Sequence, residues 1–409
     1  MVGFALIVYV VIDGFSHGMF DLQIMPAVSL TALATFAALT LAMIDGRANR
    51  SLRAPWMYGT GAALTLFVGC LALAAALGHG GFDLGFVKNL ALFTAIVALV
   101  RSPRRLSWLL AVAGAAGVLQ ATLGIRQVVL AHGIPAGGVT GLLPNHVQYA
   151  MYMTLSVIAL APFVLRTYGL RRVAIVAAEA LMLGVIVASL ARGVLVVAVV
   201  CALVFVLITL RSVAARVLAS AGTLALAAGA LVASDRLGTL IKIPAALGDP
   251  VRLDALLSGR LPMLLAAWNM WAAQPVVGVG YGRFPELWSH YVPPGIGIPG
   301  VLRLELAAHS TYLQIAAELG VVGLGLYIWL LASGLRDAAL ARRGFKRSAE
   351  ATGSWMAAAI LVGLLAVTLH GVLDNTGWHD RVLYILLALS VAARGLAPEG
   401  MPRLTGEAT

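Results

Sequence analysis

Apolar segments recur along the whole chain, with polar connections between them. Twelve can be recognised, at residues 1–12, 27–44, 55–77, 86–100, 107–125, 147–165, 173–190, 194–210, 216–233, 310–332, 354–373 and 381–394. Most approach the roughly 20 residues that an α-helix needs to cross a bilayer. The pattern therefore predicts an all-α polytopic membrane protein with about 12 transmembrane helices.

One polar stretch, residues 234–308, interrupts this pattern between segments nine and ten. A connection of about 75 residues is too long to be a simple linker. It holds a helical pattern over Arg260–Trp271, whose tryptophans suit a membrane interface. A glycine-rich run follows over Pro275–Phe284, and we expect it to turn the chain back onto the bundle.

Composition supports a membrane protein and excludes a soluble globule. Hydrophobic residues make up 61% of the chain and charged residues 11%, against about 45–50% and 25% in soluble domains. The net charge of +11 does not indicate a nucleic-acid binder, because the basic residues lie between apolar segments and form no basic stripe. The two cysteines, Cys70 and Cys201, lie within apolar segments and predict neither a disulfide framework nor a zinc site.

The basic residues also predict an orientation. Arginine and lysine concentrate after segments two, four, six, eight, ten and twelve, and they are sparse in the other connections. By the positive-inside rule, the side that is rich in arginine and lysine is cytoplasmic. Both termini then lie in the cytoplasm, residues 1–233 form helices one to nine, and 234–308 form a periplasmic loop. Residues 309–394 form helices ten to twelve, and 395–409 form a cytoplasmic tail.

This orientation places every histidine of the chain on the external side. They are His17, His79, His132, His146, His290, His309, His370 and His379. Histidine titrates near neutral pH, so its concentration on one side indicates chemistry there. The alternative is that histidine simply suits a wet interface.

Three residues form a candidate site on that side: Arg192 in a tight turn, Arg260 at the start of the loop helix, and His309 at the mouth of segment ten. Arginine binds phosphate oxygens through two parallel hydrogen bonds, and a neutral histidine can accept a proton from a hydroxyl. Snorkelling to the membrane surface is the other explanation for Arg192. Asp374, His379 and Asp380 fit a rim of interfacial polar groups better than a metal site, and no phosphate-binding loop or metal motif is present.

The run from Arg260 through Gly278-Val-Gly-Tyr-Gly282 to His309-Ser-Thr-Tyr-Leu and Glu318-Leu-Gly-Val-Val-Gly323 resembles the bacterial O-antigen ligases and related glycan polymerases. Leu143-Pro-Asn145 and Ser189-Leu-Ala-Arg192 are similar to earlier motifs of that family, so the resemblance covers roughly 139–334. Ser310 departs from the family, in which an asparagine often follows the histidine.

This resemblance implies a GT-C-like membrane glycosyltransferase that needs neither metal nor cofactor and inverts the sugar configuration. It implies catalytic roles for Arg192, Arg260 and His309, and substrate binding by Arg192, Arg260, Asn145 and Tyr312. The expected function is an inner-membrane O-antigen ligase that moves a glycan from undecaprenyl diphosphate to lipid A–core. An O-antigen or exopolysaccharide polymerase is the closest alternative, a protein O-glycan transferase comes next, and a transporter is the alternative from another class.

Overall fold

The structure, a computed structural model, describes residues 1–15, 23–25, 28–44, 59–76, 83, 85–233, 249, 252–254, 257, 259–293, 307–375 and 379–398. Within these ranges the regular secondary structure is helical, apart from one pair of short antiparallel strands, β1 (Gln23–Met25) and β2 (Val28–Ser29). The helices are α1 (Val2–Phe15), α2 (Leu30–Ile44), α3 (Thr60–Ala76), α4 (Gly85–Leu99), α5 (Pro103–Leu130), α6 (His146–Arg166), α7 (Gly169–Ala188), α8 (Arg192–Thr209), α9 (Val213–Ala233), α10 (Leu261–Ala273), α11 (Phe284–Tyr291), α12 (Thr311–Arg347), α13 (Ala351–Leu373) and α14 (Arg381–Leu396).

The predicted helical fold class is confirmed, since each of the twelve apolar segments overlaps a helix. Among the described helices, α5, α6, α8, α12 and α13 are long and apolar enough to cross a membrane. The number of crossings stays a prediction. Large apolar side chains such as Leu183, Leu218 and Leu226 point outward, as a bundle surrounded by lipid requires.

Helix α12 is longer than the tenth apolar segment, 310–332. The basic residues from Arg336 to Arg347, which follow that segment, form the last turns of the same helix. Arginine and lysine are good helix formers, and positive charge in a last turn complements the helix dipole. The helix therefore continues beyond the point where its apolar pattern stops.

Helices α12 and α13 lie at the centre of the bundle. They pack against each other, α12 also contacts α3, α10 and α14, and α13 also contacts α6 and α8. The start of α12 and the end of α13 meet at one end of the bundle, where Thr311 donates both its backbone N–H and its hydroxyl to the carbonyl of Asp374. The functional residues described below gather at this end.

Helix α12 is interrupted at Gly320, whose φ of +64° leaves the helical region. The glycine-rich turn between α10 and α11 lies across this break. There Val279 donates to the carbonyl of Ala317 at 2.8 Å, Gly280 donates to that of Glu318 at 3.0 Å, and Val321 donates to that of Pro275 at 2.8 Å. The backbone groups that the break frees are thus satisfied by the turn, as a membrane-embedded helix requires. The prediction that these glycines return the chain to the bundle is confirmed.

The side chain of Glu318, a residue of α12, also binds the glycine-rich turn. Its carboxylate is buried and accepts hydrogen bonds from the backbone N–H of Gly282 at 3.0 Å, from that of Phe284 at 3.2 Å and from the side chain of Gln314 at 2.7 Å. A small apolar core beside it joins α10, α11 and the first half of α12 through Met263, Ala267, Met270, Phe284 and Trp288, among others. The loop helices are therefore packed onto the membrane bundle.

Candidate functional site

His309 lies immediately before α12 in a constrained backbone conformation. Its φ is +50°, a left-handed conformation that non-glycine residues adopt at a cost of roughly 1–2 kcal/mol. Ser310 follows it as the N-cap of α12, with a side chain that accepts from the N–H of Leu313. The family's asparagine position is thus filled by another good capping residue. Strain of this kind is typical of functional positions.

Asp374, which ends α13, is the partner of His309. Its Oδ1 lies 3.4 Å from Nδ1 of His309 and accepts from the N–H of Asn375 at 2.7 Å. Its Oδ2 lies 3.4 Å from Nη2 of Arg260. One carboxylate, with only 12% of its side chain exposed, therefore contacts both predicted catalytic residues. We call Arg260, His309 and Asp374 the Asp374 cluster.

Arg260 directly precedes α10 and reaches back to the end of α13. Its Nη1 donates to the carbonyl of Leu373 at 2.9 Å, next to the Nη2 contact with Asp374. Two contacts on neighbouring residues fix the guanidinium in one orientation. About a quarter of the arginine and histidine side chains stays exposed, at 28% and 24%, so both face the surroundings as well as the carboxylate.

The pKa of Asp374 decides the charge of the cluster. Burial acts to raise this pKa, but the hydrogen bond with His309 and the positive charge of Arg260 outweigh it and lower the pKa to about 2. The carboxylate is therefore ionised at neutral pH. An ionised Asp374 accepts from Nδ1–H of His309, which leaves the lone pair on Nε2 available to accept a proton.

Arg192 is the first residue of α8, after a tight turn in which Leu190 has a φ of +62°. The turn reaches the end of α13, since a Cβ on Gly193 would lie 3.2 Å from the side chain of Leu373. Arg260 donates to the carbonyl of that same Leu373. Arg192 makes no hydrogen bond or ion pair with the residues that the structure describes.

Asn145 and Tyr312 make structural contacts next to this region. Asn145 is the N-cap of α6, and its side-chain oxygen accepts from the N–H of Gln148 at 2.8 Å. The hydroxyl of Tyr312 donates to the carbonyl of Thr368 at 2.9 Å and ties α12 to α13. Neither residue contacts the Asp374 cluster through a hydrogen bond. Their substrate-binding roles stay predictions.

The other two residues of the predicted polar rim have separate partners. Asp380 accepts from the hydroxyl of Tyr152 and caps α14, while the ring of His379 packs near Phe86 and Tyr281. Burial lowers the pKa of His379 to about 4, so it is neutral at pH 7. Among the residues that the structure describes, no group of three or more His, Cys, Asp and Glu side chains is arranged to hold a metal ion.

The part played by Asp374 is what sequence reasoning missed. The carboxylate partner of His309 comes from the end of α13, 65 residues later in the chain. A signal was available, since Asp374 ends an apolar segment on the side that holds the histidines. Its pairing with His309 follows from the packing of α12 against α13.

Comparison with known proteins supports the resemblance. Residues 177–328 match a family model described as O-antigen ligase. The matched region contains Arg192, Arg260, His309 and Tyr312, whereas Asn145 and Asp374 lie outside it. A comparison with curated proteins finds none that matches the chain.

Proposed function

Since residues 177–328 match a family model described as O-antigen ligase, we propose that this chain is a membrane glycosyltransferase. In this proposal it transfers a glycan from an undecaprenyl-diphosphate carrier to a sugar hydroxyl of lipid A–core. The family model by itself supports the general class of membrane enzyme acting on lipid-linked glycans. The specific donor, acceptor and ligase reaction are our proposal.

The observation that carries the proposal is the Asp374 cluster. A base and a fixed cation, His309 and Arg260, come from distant parts of the chain to one ionised carboxylate. A glycosyl transfer from a diphosphate carrier needs both functions at one place, because a hydroxyl loses its proton while the leaving group gains negative charge.

We assign the roles as follows. The acceptor hydroxyl oxygen attacks the anomeric carbon as the bond from that carbon to the diphosphate oxygen breaks. The hydroxyl proton passes to Nε2 of His309, and the electron pair of the broken bond leaves with the diphosphate. Asp374 orients the imidazole and stabilises its protonated form. Attack from the side opposite the diphosphate inverts the anomeric configuration.

Arg192 and Arg260 would hold the diphosphate. Arg260 is oriented by Leu373 and Asp374, and Arg192 has no competing carboxylate in the described structure. The N-terminus of α8, which begins at Arg192, adds the partial positive charge of a helix dipole. With one carboxylate against two arginines, the site keeps a net positive charge that suits an anionic leaving group.

The two arginines also supply the positive charge that a divalent ion provides in other glycosyl transfers. We therefore propose a reaction that requires neither metal nor cofactor. Activity of the purified protein should be unchanged by a chelator, and strong inhibition that added Mg²⁺ or Mn²⁺ reverses would disprove this part of the proposal.

The proposed setting is the bacterial inner membrane, with the Asp374 cluster facing the periplasm and both termini in the cytoplasm. The six described histidines lie in the loops or at the helix ends on the same side of the bundle as His309, whereas His17 and His79 lie outside the described residues. The domain limits at 233, 308 and 394 stay proposals, since much of 234–308 is outside the described residues as well. Cysteine labelling from either side of the membrane would test the orientation.

The experiment that tests the function uses purified protein with carrier-linked glycan, with and without lipid A–core. A ligase forms lipid A–core bearing glycan and leaves the carrier-linked glycan unextended when the acceptor is absent. Longer carrier-linked chains without lipid A–core would indicate a polymerase. His309→Ala and Arg192→Ala should each abolish product, while Glu286→Gln, on the exposed surface of α11, should not. Unchanged product from both alanine variants would show that the proposed site is wrong.

A further inference from the structure

A second concentration of positive charge lies at the opposite end of the bundle from the Asp374 cluster. A cavity of about 360 Å³ opens between the ends of α6, α8 and α12 and the starts of α9 and α13. Its lining includes Arg211, Arg216, Arg342 and Lys346, and none of its lining residues is acidic. The volume falls within the range of ligand pockets, about 300–1,000 Å³.

The cavity lies one bilayer thickness from the proposed active site. Helix α13 runs from Ser354 at the cavity to Leu373, whose carbonyl accepts from Arg260 of the Asp374 cluster, a length of about 29 Å at roughly 1.5 Å per residue. The hydrocarbon core of a bilayer is about 30 Å thick. If the Asp374 cluster faces one membrane surface, the cavity opens at the other.

Two of its arginines are held in place by backbone carbonyls at the C-terminal end of α8. Nε of Arg216 donates to the carbonyl of Leu210 at 2.6 Å, and Nη2 of Arg342 donates to that of Ile208. These carbonyls have no partner within their own helix, so the contacts orient the guanidinium groups without neutralising them. Nε of Arg342 is buried and has no hydrogen-bond partner among the described residues.

The other two cations are uncommitted. Arg211 and Lys346 make no hydrogen bond or ion pair within the described part of the chain. Glu350 is near in sequence, between two lining residues, but it does not line the cavity. Four positively charged residues therefore line one cavity, and none of the described residues that line it is acidic. Such an arrangement binds phosphate oxygens.

The remaining walls are those of a membrane interface. Leu165, Ile208 and Leu210 provide apolar surface, and Trp355 adds an amphipathic ring of the kind that lies at headgroup level. Thr209 and Ser354 also line the space. A soluble phosphate compound would leave the apolar walls uncovered. The acyl chains and glycerol of a phospholipid can pack against them.

We propose that this cavity binds the headgroup of an anionic phospholipid. The phosphate contacts the four cations, and the acyl chains continue along the apolar outer surface of the bundle. Basic pockets between membrane helices are suited to such headgroups. This binding is independent of the glycosyl-transfer chemistry and of the Asp374 cluster.

The test is a calorimetric titration of the full-length purified protein in zwitterionic detergent. The probes are a short-chain phosphatidylglycerol, the matching phosphatidylcholine and inorganic phosphate. Arg211→Gln combined with Lys346→Gln is the preferred variant, because neither side chain supports the fold through a hydrogen bond. The matched control is Arg104→Gln with Arg172→Gln, which removes the same charge from exposed positions at the same end of the bundle.

We expect saturable binding of phosphatidylglycerol and no comparable binding of the other two probes. The cavity variant should weaken this binding about fivefold for each cation removed, so about 25-fold in total, the equivalent of about 1 kcal/mol per charge. The control variant should bind as the wild type does. Equal weakening in both variants would overturn the site in favour of general surface charge. Equal binding of inorganic phosphate would overturn the lipid as its ligand.

Discussion

Replacing Asp374 with asparagine removes one negative charge from the Asp374 cluster and keeps the size of the side chain. The asparagine oxygen can still accept one hydrogen bond, but neither His309 nor Arg260 retains an ionised partner. The imidazole is then free to adopt its other tautomer or to rotate. The change therefore tests whether the carboxylate positions the proposed base.

The pKa of Asp374 sets the size of the effect. Its shift from the usual 3.8 to about 2 corresponds to about 2 kcal/mol of preference for the ionised form in the folded protein. Because the folded value is the lower one, this stabilisation is fully present above pH 4 and is lost as the pH falls through about 2. At neutral pH the Asp374→Asn substitution removes all of this stabilisation.

If the same free energy is realised in the transition state, the rate of glycan transfer falls about thirtyfold. The assay measures the initial rate with saturating carrier-linked glycan and lipid A–core at pH 7, together with the unfolding midpoint of the same preparation. Glu286→Gln is the control, since it removes a carboxylate from the exposed surface of α11. Asp374→Glu, which keeps the charge, should recover part of the lost rate.

The reasoning is refuted if Asp374→Asn transfers glycan within threefold of the wild-type rate while its folding is unchanged. It is also refuted if Asp374→Glu and Asp374→Asn are equally inactive with unchanged stability, because the charge would then not be the property that matters. A loss of activity that merely follows global unfolding would assign Asp374 a structural role instead.

The remaining predictions concern the glycine-rich turn and the proposed phosphate contact. Gly278→Ala should destabilise the protein by about 2 kcal/mol or more, because φ is +71° and the new Cβ would lie 2.3 Å from the backbone of Glu318. Gly282→Ala, with φ +73° and no neighbour within 4 Å, should cost only about 1 kcal/mol, and equal unfolding midpoints would contradict this account. Glu318→Ala should also lower the unfolding midpoint, since two backbone N–H groups lose their acceptor, at about 1–3 kcal/mol each. Arg260→Lys should reduce transfer at least tenfold, because one ammonium cannot contact both Asp374 and a phosphate, as we propose for the guanidinium. Full activity would leave only a simple charge role for Arg260.

The positions of the helices follow from the sequence to a large extent. A membrane helix must satisfy its own backbone and face lipid, so a long apolar run can adopt few other structures. The sequence predicts the ends of the helices less well. Helix α12 continues to Arg347 because charged residues extend a helix after its apolar pattern stops.

For the candidate site, too, the sequence indicated some features and not others. Arg192, Arg260 and His309 were recognised from residue type, spacing and resemblance, because unusual polar groups at membrane-helix ends stand out against an apolar background. Their arrangement was not recognised. The break at Gly320, the turn that covers it, and the contact of His309 with Asp374 all depend on backbone groups that meet only in the folded chain.

The sequence by itself determined that this chain is helical and has the apolar segments of a membrane protein, and it predicted that the histidines lie at one side. That information is local, since hydrophobicity and charge act on each segment separately. Only the tertiary structure decided which carboxylate is the partner of His309 and Arg260, and that four cations line one cavity at the far end. Both depend on distances between residues far apart in the chain, which the packing of α12, α13 and their neighbours sets.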